Sequence, residues 1–343
     1  MHTYHRTHRI KAGVSHPTMS TASGAPEAPG PNQVLIRIGA TSLNYRDLLT
    51  LADPGTLDSA GAGLVPLSDA AGTVVDVGQG VTRWKRGDRV SPNFFPGWTH
   101  GAFSTAYLQR ALGGGGTDGV LRDYMVMEES ALVSVPEHLS LAEAATLPCA
   151  GLTAWHALFE GGQLTAGETV LVQGTGGVAM FGLQLAVAHG AKVIVTSSSD
   201  DKLDRAREMG AWQTINYRSE PEWDRIALEL TKGRGVDHIL ELGGPDTYQR
   251  SVNAVAAGGR IAQIGVLTGF AAQADIRPLQ FKNASIHGIC VGSVAQYTRL
   301  NQFLADKQLH PVIDKRFSFE QAADAYTHLR HAQHFGKLVI ECE

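Results

Sequence analysis

Gly174, Gly176 and Gly177 stand at the spacing that holds a phosphate. They follow Thr169, Val170, Leu171 and Val172, which suit a buried strand, and precede Phe181, Leu183, Leu185, Ala186 and Val187, an apolar stretch of helical character. A strand that turns through glycines into a helix lets a pyrophosphate approach the backbone, where the first amides and the dipole of the helix meet its charge. The strand before and the helix after make residues 169–179 a dinucleotide site, with Gly174, Thr175, Gly176, Gly177 and Val178 against the cofactor. About twenty residues on, where an Asp or Glu would bond the adenosine ribose of NAD, the chain has Thr196, Ser197, Ser198 and Ser199. No carboxylate there repels a 2′-phosphate, and the hydroxyls of Ser197 and Ser198 with the charge of Lys202 favour NADP(H).

The elements that must position this turn alternate. After two helical stretches at 141–147 and 152–159, strands are expected at 169–172, 192–196, 214–217, 237–241, 260–264 and 285–291, with helices between them. Right-handed crossovers then give a doubly wound parallel sheet of six strands. Gly243, Gly265, Val266, Leu267, Val291 and Ser293 follow strand ends on its crevice side and are expected to hold the ribose and nicotinamide.

The earlier part of the chain is different. Val34, Leu35, Ile36 and Ile38 mark a strand, residues 43–49 switch to helical spacing, and two short strands are expected within 65–80. Short strands punctuated by glycine describe a β-rich domain. Residues 93–121, with Pro96, Gly97 and the run Gly113–Gly116, suggest a long mobile excursion. Phe94, Trp98 and His100 on it would line a flat, apolar substrate pocket. The glycine run lacks the strand and Lys-Ser/Thr of a phosphate loop and reads as flexible connection. His2, His5, His8 and His16 give the N-terminus a metal-seeking look, but nothing fixes their rings, and a frayed tail or short edge strand is expected. An amphipathic helix over 297–307, a helix over 320–329 and a strand over 336–340 complete the chain, the last returning to the first domain.

At 343 residues the chain suits two domains. A formal charge of -4 argues against a nucleic-acid or anionic-membrane surface. No apolar run is long enough to span a bilayer, and the first thirty residues lack the apolar core of a secretory signal. Three widely spaced cysteines, Cys149, Cys290 and Cys342, make no disulfide framework, which points to the reducing cytoplasm.

The segments SLNYRDLL, DAAGTVVDVG, RWKRGDRV, TLPCAGLTAWHAL, VLVQGTGGVA, GRGVDHILELGG, GGRIAQIGVLTG and HFGKLVI, in this order, resemble the medium-chain dehydrogenase/reductase superfamily, most closely its zinc-free quinone oxidoreductase and alcohol dehydrogenase-like branch. The resemblance implies an α/β chain with a GroES-like β-rich catalytic domain, residues 1–150 and 288–343, and a Rossmann dinucleotide-binding domain, residues 151–287. It also implies a homodimer formed through the strand 285–291.

Zinc-dependent members hold catalytic zinc with a cysteine in the region matched by SLNYRDLL, a His-Glu pair matched by Ser68 and Asp69, and a cysteine matched by Cys149. Here the first position is Asn44 and the second Ser68. Neither an amide nor a hydroxyl replaces thiolate or imidazole on zinc, so no metal is expected. The resemblance further places Thr153 near the nicotinamide, Tyr217 against the 2′-phosphate, and Asn44 and Tyr45 where they donate hydrogen bonds to the substrate oxygen, Tyr45 also delivering a proton. As packing residues, Asn44 would instead cap the helix that follows and Tyr45 would fill a wall. The expected activity is zinc-independent, NADP(H)-dependent reduction of a quinone, an activated C=C bond or a carbonyl. The alternatives are a zinc-containing alcohol dehydrogenase and a non-catalytic nucleotide-binding protein.

Overall fold

The structure is a computed structural model that describes residues 4–11, 16–23, 25–52, 63–114, 116–271 and 273–342. The chain divides into two compact units, residues 1–152 with 291–343, and residues 153–290.

In the first unit, β1 (Tyr4–Arg9) pairs antiparallel with β2 (Thr18–Ser23). Of the two expectations for this segment, residues 4–9 and 18–23 take the short strand, paired as a hairpin. Arg6 is the anchor: it bonds Asp123 at 2.9 Å, Glu320 at 2.7 Å and the Cys342 carbonyl at 2.5 Å. His8 is buried, with Nε2 2.8 Å from the Phe319 carbonyl and a ring lowered in basicity by that burial. It serves packing; His2 lies outside the described residues.

The main sheet of this unit begins with β3 (Gln33–Ser42). It continues with β4 (Asp69–Val77), β5 (Arg89–Pro92), β6 (Tyr124–Glu128) and β7 (Leu132–Ser134). β4 is a single strand where two short ones were expected. Val34, Ile36 and Ile38 alternate along β3 and enter a core with Leu67, Val74, Val90 and Leu132, the period of two that buries one sheet face.

The segment 93–121 is packed at its two ends, where residues 93–95, Trp98 and residues 111–114 and 119–121 are buried, while residues 100–106 and 108–110 between them are exposed. Trp98 is 2 % exposed and lies in an aromatic cluster, 5.1 Å from Phe103 and 5.9 Å from Tyr107 between ring centroids, while its Nε1 donates to the Gly101 carbonyl. Arg46 reaches across from the helix Tyr45–Ala52 to donate to the Leu112 carbonyl and lies over the Phe94 ring. The glycine run, of which Gly115 lies outside the described residues, has a steric reason. Gly113 has φ +62°, and a Cβ there would sit 2.4 Å from the Leu67 carbonyl oxygen; one on Gly114 would sit 2.1 Å from Arg46 Nη2.

The second unit is the six-stranded parallel sheet. Its strands are β8 (Thr169–Gln173), β9 (Lys192–Ser197), β10 (Gln213–Asn216), β11 (Val236–Glu241), β12 (Val255–Gln263) and β13 (Ser285–Gly288). Their order is β10-β9-β8-β11-β12-β13. The order reverses on either side of β8, the doubly wound arrangement that opens a crevice at the strand ends. The helix Gly177–His189 packs closely on this sheet: at Gly182 a Cβ would meet Leu240 Cδ1 at 2.4 Å. Before the sheet, residues 141–160 form a broken helix, with π-type turns at Leu147–Gly151 and His156–Glu160, where two plain helices were expected. Pro148 supplies no amide to a regular ladder, which accounts for the first irregularity.

The chain then rejoins the first unit. The helix Val294–Lys307 leads to β14 (Ile313–Ser318) and β15 (Lys337–Glu341), and β15 pairs antiparallel with β3. Among the described residues no helix is long and apolar enough to cross a membrane.

Two glycines of the packed segment respond differently to a methyl group. Gly113→Ala collides with backbone and destabilises by ~2 kcal/mol or more; Gly116→Ala, at φ +85° with open space, carries only the left-handed strain of ~1 kcal/mol. Urea unfolding followed by tryptophan fluorescence measures the difference; equal losses would refute the steric account.

Candidate active site

In the nucleotide unit, β8 ends at Gln173, and Gly174 turns the chain with φ +78°, its amide donating to the Thr196 carbonyl at 2.8 Å. Nothing lies within 4 Å of where its Cβ would be, so the turn opens onto space. Gly176 then caps the helix Gly177–His189 without any side-chain hydrogen bond. The first amides of that helix are left for a ligand anion. Thr175 is buried, and Gly176, Gly177 and Val178 are half-buried along the same turn.

The end of β9 carries no carboxylate. Ser197 is buried with its Oγ accepting from the Ser199 amide, and Ser199 caps the helix Asp200–Glu208, its Oγ accepting from the Lys202 amide. Asp200 accepts from Asn216 at 2.8 Å. Tyr217 donates its amide to the Ser197 carbonyl at 3.1 Å, and its side chain is exposed. Ser197, Ser198 and Tyr217 thus meet at one corner, because β10 runs in register beside β9 with Asn216 opposite Ser197.

The other strand ends are more self-contained. Glu241 is fully buried at the end of β11, where Oε1 accepts from the amides of Gly243 and Gly244 and from Thr247, and Oε2 accepts from Gln173 and Ser251. Gln173 Oε1 takes the amides of Leu242 and Gly243, both at 3.0 Å. The Gly243 carbonyl accepts from Thr268. Both backbone groups of Gly243 are therefore spent within the turn. Gly265 bonds the Glu241 carbonyl and lies so close to Leu242 that a Cβ would come within 2.0 Å of its carbonyl oxygen. Of that loop, Leu267 is exposed and Val266 half-buried. Thr153 is buried on the helical segment Leu152–Trp155. Val291, with φ +52°, and Ser293 fall in the first unit, where Ser293 caps the helix Val294–Lys307 in a capping box with Gln296.

In the first unit the expected catalytic pair separates in character. Tyr45 is 39 % exposed at the start of its helix, whereas Asn44 is 9 % exposed. Asn44 does not cap that helix; its own amide donates to Asp47 Oδ2 at 2.7 Å. Its Oδ1 accepts from Lys337 Nζ at 2.6 Å, and Nδ2 is buried with no partner among the described residues. Lys337 also donates to the Leu43 carbonyl at 2.6 Å and lies 3.9 Å from Asp69 Oδ2. Asp69 holds Ser68 Oγ at 2.6 Å on one oxygen and the Cys149 amide at 3.1 Å on the other. Burial, reinforced by Asp69, raises the Cys149 thiol well above its ordinary range, and burial pulls the Lys337 ammonium down. Of the expected pocket residues, Phe94 and Trp98 are buried in packing and His100 is exposed, with Nδ1 3.0 Å from Thr99 Oγ1.

The chain resembles known proteins along nearly its whole length. The alcohol dehydrogenase GroES-like domain family matches residues 30–137, and the zinc-binding dehydrogenase family matches residues 177–306. A zinc-type alcohol dehydrogenase-like protein of Schizosaccharomyces pombe is 40% identical over 324 residues, 93% of each chain. The chain belongs to the medium-chain dehydrogenase/reductase superfamily. A quinone oxidoreductase of Pseudomonas aeruginosa is 31% identical over 92% of this chain and 93% of its own. A crystal structure described as an alcohol dehydrogenase of Sinorhizobium meliloti 1021 superposes over 100% of both chains with a TM-score of 0.92 at 44% identity. The protein is thus a medium-chain oxidoreductase of the alcohol dehydrogenase-like and quinone oxidoreductase kind, with the GroES-like domain and parallel sheet of that superfamily and the nicotinamide cofactor typical of it.

Two buried charged residues, Lys337 in the first unit and Glu241 in the second, were passed over by sequence reasoning. Lys337 lies within the segment HFGKLVI, whose apolar residues read as a strand and hide the buried charge. Glu241 had a plainer signal, a carboxylate ending the otherwise apolar run Ile239-Leu240 of a buried strand.

The residues at the zinc-ligand positions of zinc-dependent relatives do not suit the metal. The match to the zinc-binding dehydrogenase family begins at 177, beyond Asn44, Ser68 and Cys149. Among the described residues no group of three His, Cys, Asp or Glu could hold a metal ion. The Asn44 oxygen is already taken by an ammonium, the Cys149 thiol resists ionisation, and Lys337 Nζ beside Asp69 repels a dication. The set does not fit the metal.

Asp47 carries a pH dependence. Burial, partly offset by Arg46 and the Asn44 amide, pushes its carboxyl from 3.8 up to about 6. A value raised on folding means that the ionised form weakens the fold, so stability falls as pH rises from about 4 to about 6 and stays lower above. Asp47→Asn keeps an oxygen for the Asn44 amide and is expected to be more stable than wild type by ~2 kcal/mol at pH 8 and no different below pH 4. Denaturation at the two pH values checks the sign; equal stability at pH 8 would contradict it.

Proposed function

We propose that this oxidoreductase is a zinc-independent, NADP(H)-dependent reductase of a quinone, an activated C=C bond or a carbonyl compound. The observation that carries the reading is the substitution of the metal-ligand positions by Asn44 and Ser68, with the Lys337 ammonium bonded to the would-be ligand oxygen. The residues of the glycine turn fit the cofactor: the space at Gly174 and the uncapped helix start at Gly177 take the pyrophosphate, and Ser197, Ser198, Lys202 and Tyr217 take the 2′-phosphate. When bound, the reduced nicotinamide supplies the hydride. The chain supplies polarisation: Asn44 Nδ2 donates to the substrate oxygen and stabilises the charge that develops there. The Tyr45 phenol, exposed beside it in sequence, delivers the proton.

Purified protein is assayed for NADPH and NADH oxidation with quinones, enones and aldehydes, alongside metal analysis. Turnover without bound zinc is expected, with kcat/KM for NADPH at least tenfold above NADH. In Ser197→Asp, whose carboxylate repels a 2′-phosphate, that ratio falls at least tenfold. Stoichiometric, tightly held zinc, or equal use of the two cofactors, would overturn the corresponding half of the reading.

The partner in this reading is a second copy of the chain, joined through the outer edge of β13. The expected strand 285–291 is shorter, Ser285–Gly288, but it stands at the end of the parallel sheet, with no strand on its outer side among the described residues. Phe270, Ile276 and Phe281 of the same unit are 79%, 60% and 87% exposed. An unpaired edge beside bare aromatic side chains is what a strand-to-strand dimer covers. Light scattering should give twice the chain mass of 36.6 kDa for wild type. The monomer mass is expected for Phe281→Asp; a wild-type monomer would refute the dimer.

A further inference from the structure

An amide side chain is useful as a donor only if its nitrogen, and not its oxygen, faces the reacting atom. Asparagine can flip, and its two ends are nearly the same size. At Asn44 the choice is made by chemistry: an ammonium has donors only, so the atom 2.6 Å from Lys337 Nζ must be the carbonyl oxygen. The ammonium itself is fixed by a second bond, 2.6 Å to the Leu43 carbonyl, and by Asp69 Oδ2 at 3.9 Å. Its position along the chain is set by strand pairing, since the Leu43 amide donates to the carbonyl of Leu338, the next residue. The Asn44 backbone is held by Asp47 Oδ2. With oxygen and backbone both committed, the remaining polar atom, Nδ2, is buried and has no partner among the described residues. A buried donor with no acceptor costs ~1–3 kcal/mol, and such costs persist where a donor is kept for a ligand.

We propose that Lys337 is a positioning residue of the reductase site, holding the Asn44 amide with its oxygen inward and Nδ2 presented to the oxygen of the substrate. The proposal rests on the reductase reading above. A positive charge on the amide oxygen also polarises the group and makes Nδ2–H a stronger donor, so that its bond strengthens as negative charge develops on the substrate oxygen. No proton leaves Lys337; it acts through Asn44.

The test is a double-mutant cycle with Lys337→Met, Asn44→Ala and the pair. Each single variant is expected to lower kcat about 100-fold, the typical loss on removing an oxyanion donor, with KM for NADPH within about twofold of wild type. Lys337→Met in the Asn44→Ala background should cost nothing more. An undiminished second loss would overturn the proposal, as independent structural damage adds in the cycle. A second readout needs no turnover. In 15N-asparagine-labelled protein the Asn44 side-chain resonance, identified by its loss in Asn44→Ala, should shift or broaden in Lys337→Met, where the amide is free to flip. An unchanged resonance would refute the positioning role. If wild type oxidises NADPH with no acceptor, the reductase reading fails while this measurement still decides the orientation. Lys337→Gln, which keeps a donor, replaces the methionine variant in both arms if the latter does not fold; it should retain more turnover than any variant at Asn44.

Discussion

A buried ammonium has to be surrounded, and the first unit is arranged to surround one. Lys337 is 3 % exposed, and an ion taken out of water is tolerated only with partners in place. Those partners come from distant parts of the chain: Leu43 and Asn44 after β3, and Asp69 at the start of β4. They converge because β15 closes against β3, so that the last strand of the sequence lies beside the first long one. The Arg6 contacts to Asp123, Glu320 and the Cys342 carbonyl tie the same two ends from the opposite margin. The polar centre of this unit is thus a consequence of how the two chain ends meet.

The nucleotide unit solves a different problem. Its strand ends must expose backbone to a ligand, yet buried amides left open are costly. The solution is unequal. At β8 the Gly174 amide is taken by the Thr196 carbonyl, but the turn borders open space and the helix after it starts without a side-chain cap. At β11 every nearby amide is consumed by Glu241 and Gln173, which lock the Gly243–Gly244 turn from beneath. Rigidity at one strand end supports accessibility at the other, and the buried Glu241 carboxylate is acceptable because its oxygens are filled by neighbouring donors.

This difference explains what could be read from the sequence. The parallel sheet was legible because its central strands, β8, β9 and β11, are apolar runs followed by turns, and the alternation with helices places the more polar edge strands β10 and β13. Gly174 was legible for the same reason. Gly243 was not distinguishable from it, since both are glycines after a strand, and only the folded chain shows open space at Gly174 and, at Gly243, the crowding of Thr247 with bonds to Gln173 and Glu241. The segment 93–121 misled in a similar way: its glycines suggest looseness, whereas Gly113 and Gly114 are demanded by Leu67 and Arg46, which lie far off in sequence. At the other site Asn44 could be singled out by what it replaces. Lys337 could not, because its distance from Asn44 in sequence is 293 residues and its strand reads as an ordinary apolar edge.

Charge balance gives the loss of the metal ligands its physical sense. A dication held by two thiolates and an imidazole is a neutral set, and removing the dication alone would leave two buried anions. Here the thiolate positions are filled by the neutral amide of Asn44 and by the Cys149 thiol, which burial and Asp69 keep protonated, and the imidazole position by the Ser68 hydroxyl. The three positions remain neutral without a metal, and the one ammonium present answers the one carboxylate beside it, Asp69. Returning zinc to this set would require ionising Cys149 against Asp69 and expelling Lys337 from its two oxygen partners, so the residues at these positions disfavour the metal together and not one by one.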